Sequence, residues 1–289
     1  MIIITGDSSN DLSKELIKNN DIRILPFNIL LNDKEYLDGV TITSQMIIDN
    51  FNERKTLPKT SAVSVENYKE FFKANLKNDD DRIIHFSLSS EMSCSCENAK
   101  HAAEEFNGKV KIIDSRSLST GVGLLMLYCV DLKNAGESFE NICSKVEARI
   151  PYVQASFVIN KLTFLHKGGR CSSLQLLGAN LFNIKPSIEV KNGKMGMSKK
   201  YRGPYIKVVE SYVKDVLEKF NNPDLTRCFI TYSTIEDDVL ELVKTTVKEN
   251  SHFKEILVTQ AGATITSHCG ANTIGVLFIN DGGNNGFSN

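Results

Sequence analysis

Surplus charge of either sign is missing from this 289-residue chain: 34 Lys and Arg stand against 35 Asp and Glu, a formal net charge of −1. That balance excludes a general nucleic-acid binder, which needs excess positive charge facing phosphates. A long apolar run is missing too. The most apolar stretch, residues 122–130, is far below the roughly 20 residues that span a bilayer, and residues 1–4 are too few for a signal-peptide core. A cytoplasmic protein is therefore expected. No CxxC pair occurs among the seven cysteines, Cys94, Cys96, Cys129, Cys143, Cys171, Cys228 and Cys269. The five histidines stand apart from them at zinc spacing, His268 beside Cys269 excepted. This speaks against a disulfide framework and a structural metal, and reads most of the cysteines as small buried hydrophobes in a reducing compartment. Neither a G-x-x-x-x-G-K-[ST] loop nor a G-x-S-x-G elbow is present, which speaks against intrinsic ATP use and against a hydrolase of the usual elbow type.

What is present is alternation. Short apolar, β-branched runs at 2–5, 22–31, 83–87 and 110–113 interleave with helix-patterned segments at 64–75, 97–106, 121–134 and 139–149. Strand, helix, strand, helix implies a mainly parallel α/β sheet. Near Pro151 the pattern restarts, with strands expected at 155–159, 227–232, 255–260 and 274–279 and a helix over 204–220. Asn192-Gly193, between β-prone stretches, predicts a tight hairpin, because both residues tolerate positive φ. The fold class expected is two-domain α/β: residues 1–152 around the parallel sheet, a second α/β (α+β) domain over 153–281, and a flexible tail at 282–289.

Several segments carry chemistry. The strand run Ile83, Ile84, Phe86 empties into Ser87, Ser89, Ser90, Ser93, Cys94 and Ser95 and then at once into a helix. A strand, a serine-rich turn and a helix N-terminus make an anion site, because the first N–H groups lack intrahelical partners and the macrodipole is positive there. The plainer alternative is that Ser93 or Ser95 only caps the helix. Thr60-Ser61-Ala62-Val63-Ser64 again sets hydroxyls at a helix start, with Ser64 as the cap, and would form a second wall for an anion. The opening strand ends in Asp7-Ser8-Ser9-Asn10-Asp11, with Ser9 or Asp11 capping a helix over 12–18, and another strand ends in Asp114-Ser115. Two such ends predict a shared polar rim at the carboxyl edge of the sheet, where open α/β sheets bind ligands. Lys167 and Arg170 flank Gly168-Gly169, and Leu174, Leu176, Leu177, Leu181, Phe182 and Ile184 follow as core or as the lining of an acyl tunnel. Lys199-Lys200-Tyr201-Arg202-Gly203 is a second basic spot, and His268 is expected in a loop before the last strand.

Taken in order, these segments resemble the DegV family, whose members include the fatty-acid-binding subunits of bacterial fatty acid kinase. Asp7-Ser8-Ser9-Asn10-Asp11-Leu12 is similar to its opening DSxxDL, Thr60-Ser61-Ala62-Val63-Ser64 to its TSQPS-like segment, and Ser89 to Ala99 to its SSxLSGTYQNA-like segment. Ile113-Asp114-Ser115, Leu165-His166-Lys167-Gly168-Gly169-Arg170, Leu177-Gly178, Ile184-Lys185-Pro186, Arg202-Gly203 and His268-Cys269-Gly270 follow in the family's order. The chain departs from the pattern at Cys94, where the family has glycine, at Ala62-Val63 and at Ala271-Asn272.

The resemblance implies two α/β domains and a buried acyl chain whose carboxylate lies near their junction. Thr60 or Ser61, Ser93, the backbone at Cys94 and His268 would hold the headgroup, and Arg170 and Arg202 would serve a kinase contact or the transferred phosphate. It implies a carrier without catalysis of its own, monomeric when alone. No cofactor, metal or nucleic acid is expected; the partners are a long-chain fatty acid and a separate ATP-dependent kinase. The competing reading from the residues is an acyl hydrolase built on Ser93 and His268 with Asp7 or Asp114.

Overall fold

The computed structural model describes residues 1–171 and 184–283. β1 (Ile2–Asp7), β2 (Ile22–Leu25), β6 (Arg82–Ser87) and β7 (Val110–Asp114) form an all-parallel sheet in the order β2-β1-β6-β7. Its two faces follow from the period of two along a strand. Ile3 and Ile83 turn to one side and pack with Tyr68 and Phe72 of α3 (Val65–Asn75) and Ala99 and Ala102 of α4 (Ser95–Ala103). Ile4, Ile84 and Phe86 turn to the other, toward α5 (Thr120–Asn134) and α6 (Phe139–Arg149).

The α5 helix is apolar nearly all round, and a helix of that kind needs cover on every side. Here it has a sheet on each side: its core also takes in Phe229, Leu277 and Ile279 of the second sheet. That sheet begins at β8 (Val153–Gln154), which pairs with β14 (Thr273–Ile279). Its main order is β11-β10-β9-β14-β12-β13, with β9 at Ser156–Ile159, β12 at Arg227–Tyr232 and β13 at Glu255–Gln260. Only β12 and β13 run parallel in it, so the architecture is mixed α/β. α8 (Tyr205–Lys219) and α9 (Asp237–Asn250) cover the far face through Val209, Tyr212 and Val243. The hairpin expected at Asn192-Gly193 joins β10 (Lys185–Lys191) to β11 (Lys194–Tyr201), with φ of 52° and 81° at the turn. Among the described residues no helix is long and apolar enough to cross a membrane.

Three expectations need correction. The run at 22–31 is not one strand: Pro26, which has no N–H to give a ladder, separates β2 from β3 (Asn28–Leu31). β3 leads into a small antiparallel sheet, β4-β3-β5, with β4 at Lys34–Leu37 and β5 at Lys59–Ser61. The first helix, α1, starts only at Lys14, and Ser13 rather than Ser9 or Asp11 caps it by accepting the Leu16 N–H. His268 lies not in a loop but on a short helix, α10 (Ala263–Cys269). α2 (Ser44–Arg54) and α9 were not anticipated. The tunnel candidates Leu174, Leu176, Leu177, Leu181 and Phe182, the Leu177-Gly178 pair and tail residues 284–289 lie outside the described residues. Ile184 packs in the core beside Ile188 and Leu165.

Candidate functional site

The small sheet exists to deliver β5. Pairing of Thr60 with Ile29, which is fully buried, turns the Thr60 side chain inward, where its Oγ1 lies 2.8 Å from His268 Nε2. His268 is held from behind. The α10 N-terminus is pinned by two carboxylates from the first half of the chain: Asp11 accepts the Gly262 N–H and Asp38 the Ala263 N–H, each at 2.8 Å. Ser119 donates to Asp11 and Ser8 to Asp38. Burial raises both carboxyl pKa values, that of Asp11 to about 8. The opposite nitrogen, Nδ1, has no hydrogen-bond partner and faces Gly168 of α7 (Thr163–Gly168), so closely that a Cβ there would stand 2.7 Å from it. Burial, and secondarily the Arg170 cation, lower the His268 pKa to about 4, so the imidazole is neutral at pH 7.

Opposite stands the turn after β6. The two strand-end aspartates, expected as a rim toward ligand, hold this turn instead. Asp7 accepts the Leu88 N–H at 2.9 Å, and Asp114 accepts both the N–H and the hydroxyl of Ser90. Held in this way, the turn places Ser93, whose Oγ donates to Ser95 Oγ at 3.0 Å and accepts the Ser95 N–H at 3.2 Å. Ser64 caps α3 as expected, accepting the Asn67 N–H.

Between these walls is a cavity of about 60 Å³. Thr60, Ser61, Ser93, Thr264, His268 and Arg170 form its polar lining, while Phe27, Leu88, Met92, Leu118, Met195 and Ile265 supply apolar surface. A second, smaller cavity of about 30 Å³ shares Leu118, Ile265 and Cys269 with it and continues beneath Phe157 and Leu277. Five hydroxyl or imidazole groups, one cation at the edge and largely apolar walls suit an amphiphile with a small polar or anionic head. A larger cavity, about 230 Å³, adjoins Tyr128, but its cations are already neutralised: Arg149 pairs with Asp224 and Asp281, and Arg227 with Asp131.

Of the residues singled out in the sequence, the structure brings Thr60, Ser61, Ser93, His268 and Arg170 to one cavity. Cys94 stands at the start of α4 with an exposed side chain and does not line it. Arg202 is exposed just beyond β11 and does not line it either. Thr264 and Ile265 were missed; both fall one helical turn from His268 or Cys269, a spacing that carries weight only once α10 is read as a helix.

A family model described as "Uncharacterised protein, DegV family" matches residues 1–281. The chain belongs to the DegV family. A DegV domain-containing protein of Clostridium acetobutylicum is 31% identical over 96% of this chain and 98% of its own length. Among solved structures, a fatty-acid-binding DegV family protein from Thermus thermophilus is 28% identical with a TM-score of 0.89, covering 97% of this chain and 99% of that one. A stearic-acid-binding protein from Eubacterium ventriosum is 26% identical with a TM-score of 0.83, covering 97% and 98%. Similarity to these DegV relatives thus runs the length of both chains, and the small, amphiphilic cavity lies within the matched region.

Proposed function

We propose that this DegV chain binds one long-chain fatty acid, burying the acyl tail and holding the carboxylate among Thr60, Ser61, Ser93 and His268, with Cys94, outside the cavity lining, taking no part. The observation that carries the reading is the Thr60–His268 pair, with Ser61 beside it, facing Ser93 across one cavity whose remaining walls are largely apolar. Fatty-acid binding by the Thermus and Eubacterium relatives supports it. Tail burial at about 0.8 kcal/mol per CH₂ supplies affinity, so the head need not be gripped hard. Neutral donors suit a carboxylate that must still react, whereas a bidentate guanidinium clamp would draw off its charge.

On this reading the protein is a carrier, not an enzyme. It is cytoplasmic and monomeric when alone, with residues 1–152 and 153–281 as two domains meeting at the site. A separate ATP-dependent kinase phosphorylates the presented carboxylate to an acyl phosphate, and the exposed Arg170 and Arg202 meet that kinase or the transferred phosphate. The hydrolase alternative is disfavoured by the geometry. A serine nucleophile needs a hydrogen bond to its base, yet the His268 Nε2 contact is with Thr60 and the hydroxyl of Ser93 is bonded to Ser95.

The test is denaturing extraction of the purified protein and mass spectrometry of the released lipid, repeated on Ser93→Ala and His268→Ala. Stoichiometric fatty acid in the wild type that falls in both variants supports the assignment. A wild type without lipid that also takes up no added oleate or palmitate would refute it.

A further inference from the structure

Two of the polar groups around this cavity do not touch it. Ser95, fully buried, sends its Oγ away from its own helix to accept the Val63 N–H at 3.2 Å. Asn98, one turn further along α4, donates from Nδ2 to the Val63 carbonyl at 2.7 Å. Residues three apart share a helix face, so both backbone polar groups of Val63 are taken by one face of one helix. Val63 is itself buried and follows Thr60-Ser61-Ala62, the wall that supplies hydroxyls opposite Ser93. Ser95 also fixes Ser93, accepting its hydroxyl proton and giving its own N–H to the same oxygen. A helix cap would explain neither the long-range bond to Val63 nor the engagement of Asn98.

We infer that Ser95 and Asn98 are positioning residues that bolt the two hydroxyl walls together and set the distance and aim of Ser93 relative to Thr60 and Ser61, so that the cavity discriminates a carboxylate from a neutral head of similar size. The inference rests on the fatty-acid reading above and adds its selectivity to it. Loss of the Ser95 hydroxyl takes away the acceptor of the Ser93 proton, so that Ser93 is held by the backbone N–H of residue 95 alone and its hydroxyl can turn, and it leaves the Val63 N–H unpaired. The apolar walls are unaffected, so the acyl tail is held as before.

The experiment compares binding of palmitate and of hexadecanol, which share the tail and differ in the head, to the wild type, Ser95→Ala, Asn98→Ala and Ser95→Thr, using displacement of a fluorescent fatty acid. The expected result is an acid-over-alcohol preference that falls about ten-fold in Ser95→Ala. Hexadecanol affinity stays at the wild-type level, which also shows that the variant is folded. Asn98→Ala lowers the preference in the same direction, and Ser95→Thr, which keeps the hydroxyl, restores it. A Ser95→Ala variant whose two affinities fall equally, or whose preference is unchanged, overturns the positioning role while leaving lipid binding intact. A wild type that binds neither ligand overturns the parent reading and this inference with it.

Discussion

Replacing Gly168 by alanine sets a methyl group where the imidazole of His268 stands. The new Cβ would lie 2.7 Å from Nδ1, several tenths of an ångström inside van der Waals contact. The ring has little room to retreat, because its other nitrogen is bonded to Thr60 at 2.8 Å and α10 is tied down by Asp11 and Asp38. Overpacking of this kind costs about 1–3 kcal/mol and loss of the Thr60 contact about 1 more. At roughly 2–4 °C per kcal/mol for a chain of this class, Tm should fall by roughly 4–16 °C. The informative assay is a double-mutant cycle in thermal denaturation. In a His268→Ala background the clash partner is gone, and Gly168 occupies the last turn of α7, where alanine is the better helix former by up to about 1 kcal/mol. The same substitution should there be neutral or stabilising. An equal loss of Tm in both backgrounds would refute the argument that the glycine is required by the imidazole.

Three further outcomes follow from buried charge. Burial raises the Asp11 pKa to about 8 from its ordinary 3.8, so between about pH 4 and 8 the folded state holds a proton that the unfolded state has lost. Stability from this site therefore declines as pH rises through that window, and Asp11→Asn should show a flatter urea-midpoint profile than the wild type between those limits; parallel profiles would contradict it. Arg149 is buried and donates to both Asp224 and Asp281, so Arg149→Met leaves two inward carboxylates uncompensated and should cost about 3–5 kcal/mol in urea denaturation, a loss under 1 kcal/mol disproving the pairing. Burial lowers the pKa of His268 to about 4 and that of His85 to about 3, so in NMR titrations both imidazoles should remain neutral from pH 8 down to pH 5.5; a midpoint near 6.5 for either would show that it is not enclosed.

The elements legible in the sequence are those whose pattern is local. Ile2-Ile3-Ile4 and Ile83-Ile84 announce buried strands, Asn192-Gly193 announces its turn, and Ser64 announces the start of α3. The serine-rich turn before α4 is legible for a second reason, that small hydroxyls cluster where backbone donors are left over, and its Ser93 lines the cavity. What failed was anything decided by a distant partner. Pro26 splits a β-prone run because the second half finds β4 and β5 instead of the parallel sheet. α10 is only seven residues long, and its N-terminus is satisfied by Asp11 and Asp38, more than 220 positions away, so no nearby capping signal marks it. Asp7 and Asp114 read as a shared polar rim because they end strands at the carboxyl edge of the sheet, yet their oxygens hold Leu88 and Ser90. The distinction is physical. On the proposed fatty-acid reading, a carboxylate at the cavity would repel an anionic head; one step behind, it holds the turn by its N–H groups and leaves the hydroxyls and the neutral imidazole to line the cavity.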